Sequence, residues 1–229
     1  MTARHSPTTA SDFAPSAVPS GPRTTLVATA LAVSAAAVVS VLLWNPWPAR
    51  DQLGYGDIEP VRDGMWAGIV IDATAFGVLG VAFSIVVCAM ARSRGAVWAT
   101  VGAVLTSLGG ILLAMGEFGF AAISWYATDA NAISVPEGTK LLDYTVDHPD
   151  HGLVVQMAGF LLFTLGSILL LVALIRARTV PLWLPIACLV LIVAQFAPVP
   201  GRALDFVQSG LIGLLVVLAW MFHREASAR

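Results

Sequence analysis

The chain has 229 residues, of which 58% are hydrophobic and only 11% charged, with a formal net charge of −2. Soluble domains carry roughly a quarter charged residues, so this composition excludes an ordinary water-soluble fold. It also excludes nucleic-acid binding through a basic face, because no basic patch accompanies an aromatic or helical motif.

Residues 1–23 are rich in Ser, Thr, Pro and Ala and lack apolar periodicity, the pattern of a disordered tail. The apolar run from Thr24 to Leu43 follows. It exceeds the usual h-region of about 7–15 residues, so it reads as a retained membrane helix and not a signal peptide. Trp44 and Trp47 mark its interfacial end, and Asn45-Pro46-Trp47-Pro48 breaks it. Gly54-Tyr55-Gly56 reads as a turn, with no following helix and Lys to make it a phosphate cradle.

Further apolar runs cover Met65–Met90, Ala96–Ala122, Gly152–Ile175, Pro181–Phe196 and Asp205–Phe222. About 20 apolar residues cross a hydrocarbon core of roughly 30 Å, so the expectation is an all-α polytopic transmembrane bundle of about six spans. It occupies residues 24–222, with a short tail at 223–229. The fifth span is the shortest and ends in Pro198-Val199-Pro200-Gly201, so it is tilted, or re-entrant with its backbone shielded by protein.

The arginines orient this bundle. Arg4, Arg23, Arg92, Arg94, Arg176, Arg178, Arg224 and Arg229 all fall on one side of the alternating spans, leaving Arg50, Arg62, Lys140 and Arg202 on the other. Acids crowd that second side, as in Asp143 to Asp150. The positive-inside rule therefore places both termini in the cytoplasm. The Ala-, Val- and Gly-rich composition resembles that of a high-GC bacterium, which implies a bacterial plasma membrane.

Small residues recur at four-residue spacing, in Ala28, Ala32, Ala36 and Ser40 and again in Gly102, Thr106, Gly110 and Ala114. Such rows let helices approach closely, within the bundle or across a homo-oligomer or partner seam. Val78-Leu79-Gly80 before Arg92-Ser93-Arg94 parallels Thr164-Leu165-Gly166 before Arg176-Ala177-Arg178. A duplicated hairpin is one origin of this pattern; the shared need for basic turns and interfacial Trp is the other. The stretch from Leu162-Phe163-Thr164-Leu165-Gly166 to Trp183 resembles a hairpin common in small, uncharacterised multi-spanning bacterial membrane proteins. That resemblance implies a membrane bundle and brings no catalytic residues with it. Cys88 and Cys188 sit inside spans and read as small apolar packing groups.

Two acids lie inside spans, Asp72 and Glu117. Intramembrane ionisable groups are costly and mark functional sites by default. At 1.5 Å per residue, Asp72 lies roughly 10 Å and Glu117 roughly 8 Å below the outer edge. Gln156 and Gln195 reach the same layer. The leading expectation is a cation- or small-solute-binding bundle, transporter-like, with Asp72, Glu117, Gln156 and Gln195 as its outer-leaflet site. The competing expectation for these groups is simple hydrogen bonding between helices. At the level of function the rivals are a structural or partner-binding membrane subunit and a membrane-embedded enzyme acting on a lipid or envelope precursor. No resident cofactor is implied. His148 and His151, interleaved with Asp147 and Asp150, form a weak metal-ligand pattern that also suits a solvated helix start.

Overall fold

The computed structural model describes residues 21–46, 54–91, 94–151, 153–197 and 202–227. Among these there is no strand. The expected N-terminal tail up to residue 20, Trp47, Arg92 and the Pro198–Gly201 break lie outside the described residues.

Helix α1 (Pro22–Trp44) opens with proline in its first turn, where a missing N–H costs nothing. It ends where Asn45 turns left-handed at φ 52°, its N–H closing on the Val41 carbonyl. A short helix α2 (Tyr55–Ile58) and a 3-10 turn at Glu59–Val61 lead into α3 (Arg62–Met90). The Gly54-Tyr55-Gly56 segment thus begins a helix instead of turning, with the Asp57 and Ile58 N–H groups donating to the Gly54 carbonyl. Helix α4 (Ala96–Ala127) is followed by α5 (Val135–Asp147), which the apolar runs did not disclose. Helices α6 (Leu153–Ala177), α7 (Trp183–Ala194) and α8 (Ala203–Ser227) complete the chain.

Five of these helices are long and apolar enough to cross a membrane, and α7 is a shorter apolar helix. At 1.5 Å per residue the 32 residues of α4 extend about 48 Å. The 12 residues of α7 extend only about 18 Å, less than a hydrocarbon core of roughly 30 Å. The bundle therefore has five full-length members and one partial one. Large aliphatic side chains point outward along them, including Leu26, Val33, Val104 and Val193. Such a surface suits lipid and not water. The chain is a multi-pass helical membrane protein.

Helices α1, α3, α4 and α6 alternate in direction, and the short α7 carries the chain back so that α8 runs parallel to α6. Arg23, Arg94, Arg176, Arg178 and Arg224 gather at one end of the bundle. Trp44, Arg62, α5 and Arg202 gather at the other, where Arg202 donates to the Leu43 carbonyl and ties α8 to α1. The segment expected as a C-terminal tail continues α8 as far as Ser227, with Arg224 lying over the Trp220 ring.

Helix α4 lies between α3 and α6 and packs along both. Its seam with antiparallel α6 is built on glycine. A side chain on Gly109 would strike the backbone of Phe163, and one on Gly102 the Gly166 carbonyl at 2.9 Å. From α6, Gly159 meets the backbone of Leu113 and Gly166 that of Thr106. Glycine is required here because backbone meets backbone. Gly110, grouped with Gly102 by four-residue spacing, faces α3 instead, against the Phe76 carbonyl. In α1 the buried stripe is Ala28, Leu31, Ala35, Val38 and Leu42, whereas Ala36 and Ser40 are exposed. The two hairpins that resemble each other in sequence pack differently: α3 and α4 contact along their length, while α6 meets the much shorter α7 narrowly.

Candidate functional site

The helix directions fix the depth of each polar residue. Asp72 is in the half of α3, and Glu117 in the half of α4, nearer the Arg62 end of the bundle. Gln156 lies one turn into α6, Gln195 caps α7, and Gln208 follows the start of α8. All five side chains line one cavity of about 450 Å³, enclosed by α3, α4, α6, α7 and α8 with Leu42 of α1. The four residues singled out from the sequence are thus brought together, although they come from four helices.

Asp72 is only 8% exposed. Its Oδ1 and the Oε2 of Glu117 are buried with no hydrogen-bond partner among the described residues, and so is the Ser167 Oγ deeper in the cavity. The two carboxyls line the same cavity. Leaving a buried polar atom unpaired costs about 1–3 kcal/mol, and more for a charged group. Ser84 donates to the Gly80 carbonyl at 2.7 Å and accepts from Ser107 at 3.1 Å, whereas both acids line the cavity.

The wall is graded. Carboxylates and glutamine amides form the end nearer Arg202. Thr164, Ser167 and Cys188 lie among Phe76, Phe83, Phe160, Phe163, Leu171 and Leu215 farther in. Phe76 and Phe163 meet edge to face at 5.7 Å. Among the described residues no Lys, Arg or His lines the cavity. Gln208 was missed by the sequence reading, although the same depth rule that selects Gln195 reaches it. The hydroxyls of Thr164 and Ser167 carry no such signal, since small polar residues also occur throughout helix packing.

Of the two histidines in the metal-ligand pattern, the His148 side chain is described. His148 caps α5; its Nδ1 lies 3.1 Å from the Tyr144 carbonyl and its ring stacks on Tyr144 at 4.1 Å. The His151 side chain lies outside the described structure. Among the described residues no group of three or more His, Cys, Asp or Glu side chains is placed to hold a metal.

The fold is that of a helical membrane protein, and two acidic side chains line a cavity within it. No protein-family model, curated protein or solved structure matches the chain.

Proposed function

We propose that this protein is a small binding or transport bundle of the bacterial plasma membrane, taking a cation or small polar solute into the cavity lined by Asp72 and Glu117. The observation that carries this reading is the pair of buried carboxylate oxygens, Asp72 Oδ1 and Glu117 Oε2, that have no partner among the described residues and line the same cavity. A cationic ligand supplies the missing interaction. Gln156, Gln195 and Gln208 complete the polar end with both donors and acceptors.

The arginine distribution supports cytoplasmic termini and hence a cavity whose polar end faces the outer side. The partner-binding alternative draws less support. Gly102, Thr106, Gly110 and Ala114 are all covered within the chain, which leaves that row no free face for another protein.

The test is a ligand screen on the purified protein in lipid nanodiscs, read as unfolding temperature. Inorganic cations, organic amines, organic anions and neutral sugars form the panel. Cations raise the unfolding temperature of the native chain and do so far less in Asp72→Asn and Glu117→Gln. Flux of the active cation across proteoliposomes then separates transport from binding alone. A panel that shifts native and variant proteins alike removes the reading.

A further inference from the structure

Resting on that reading of the cavity, we infer that its ligand is an amphipathic organic cation: an ammonium head carrying an aromatic or aliphatic body.

The wall has two chemistries, and each selects one part of such a molecule. At the polar end, two carboxylates meet no cationic side chain among the described residues, so the site favours positive charge and rejects anions. Of the 21 lining residues 13 are apolar, and Phe83, Leu171 and Leu215 among them lie beyond the polar end. A mostly apolar pocket with a few converging polar groups is the usual design for an organic ligand, for which about 300–1,000 Å³ is typical. An inorganic ion uses little of a 450 Å³ cavity and gains nothing from its apolar part.

Shape agrees with chemistry. Asp72 and Phe83 both line the cavity from α3, and 11 residues of helix separate them by about 16 Å. The cavity is therefore long, with charge at one end. Phenylalanine rings along it offer faces to an ammonium and its substituents, as aromatic sites do for quaternary amines. Asp72 itself is more than nine-tenths buried, with its free oxygen in the cavity wall, so its charge is met by whatever enters.

The experiment uses the full chain in nanodiscs and measures displacement of radiolabelled benzyltrimethylammonium. The competitors are tetramethylammonium, which has the head alone, sodium, and neopentylbenzene, the uncharged molecule of the same shape. The expected result is that benzyltrimethylammonium binds at least about tenfold tighter than each of the others. An alkyltrimethylammonium series from methyl to hexyl gains about threefold to fourfold per methylene, as burial of each CH₂ requires. Asp72→Asn and Glu117→Gln each weaken the benzyl compound at least about tenfold; if a variant does not fold, the native-chain series alone decides. Equal binding of sodium or tetramethylammonium, lost in Asp72→Asn, overturns the amphipathic ligand and leaves the cation site standing. Equal binding of neopentylbenzene overturns the cationic requirement. Failure of every probe to bind the native chain in the cavity removes both readings.

Discussion

Gly116 of α4 lies directly beneath Gln156 of α6: a Cβ built on Gly116 would sit 2.7 Å from the Gln156 Cβ and 2.9 Å from its Cα. The glycine therefore sets how closely α6 approaches α4 beside the next residue, Glu117. Packing and site meet at this point. Because the clash involves backbone, a rotamer change in Gln156 cannot relieve it, and Gly116→Ala must push α6 outward. Overpacking of this kind costs about 1–3 kcal/mol. The unfolding temperature of Gly116→Ala is expected to drop, and its response to a cationic ligand to shrink with it. Gly119→Ala is the matched control, since nothing lies within 4 Å of its Cβ position. There alanine only improves helix propensity, by about 1 kcal/mol. Equal behaviour of the two variants sinks the close-approach argument.

At the same end of the bundle, Arg62 fastens the start of α3 to the end of α4. Its Nη1 donates to the Thr128 carbonyl at 2.8 Å and lies 3.5 Å from Asp129, and the guanidinium sits over the Trp125 ring. Trp125 in turn donates its indole N–H to Asp63. A cation on the last carbonyls of a helix satisfies groups that have no partner within the helix. The side chain is 27% exposed, so water replaces part of what is lost. Arg62→Ala is expected to cost about 1–2 kcal/mol, toward the lower end for a charged hydrogen bond. Arg62→Lys recovers only part, because one ammonium cannot reproduce the planar fork. Unfolding measured in mild detergent ranks the three proteins, and an unchanged Arg62→Ala contradicts the fastening role.

How far the sequence discloses this architecture depends on the length scale of each signal. Apolar runs of about 20 residues act over whole helices, so the helical bundle of about six apolar segments is legible. Helix α5 is not, because its apolar residues are spread around a 13-residue amphipathic helix, without a long run. The α4–α6 seam is only half legible. Four-residue spacing groups Gly102 and Thr106, which meet α6, with Gly110, which faces α3, and it leaves out Gly109 and Gly116, which also meet α6. Antiparallel helices crossing at a small angle renew contact about every seven residues. Gln208 was legible in principle, as it lies one turn inside α8 on the depth scale that selects Gln195.

The loop helix α5 provides a pH test. The Glu137 carboxylate accepts from both the N–H and the hydroxyl of Ser134, forming a capping box at the start of α5. These bonds favour the charged form and hold the Glu137 carboxyl below its ordinary value of 4.5. A depressed folded value means the stabilisation is present above the unfolded value and is lost as pH falls through the folded one. Hydrogen exchange in α5, corrected for intrinsic rates, should therefore lose protection below the ordinary carboxylate range. Ser134→Ala should exchange faster at neutral pH and show a weaker dependence on acid. Identical pH profiles in the two proteins dismiss the cap as the cause.

Orientation is open to direct labelling, and the geometry selects the positions. Glu137 on α5 and His223 near the end of α8 are both exposed and lie at opposite ends of the bundle. Cys88 is half-buried and Cys188 buried, so a background carrying Cys88→Ala and Cys188→Ala gives a silent reference. Into it, Glu137→Cys and His223→Cys are introduced one at a time. Neither change touches the arginines that set the topology. An impermeant maleimide applied to intact cells is expected to label position 137 and to reach position 223 only after lysis. The opposite pattern inverts the protein and turns the acidic end of the cavity toward the cytoplasm. Labelling at both positions in intact cells means the ends of the bundle are not separated by a membrane, which contradicts an odd number of crossings between positions 137 and 223.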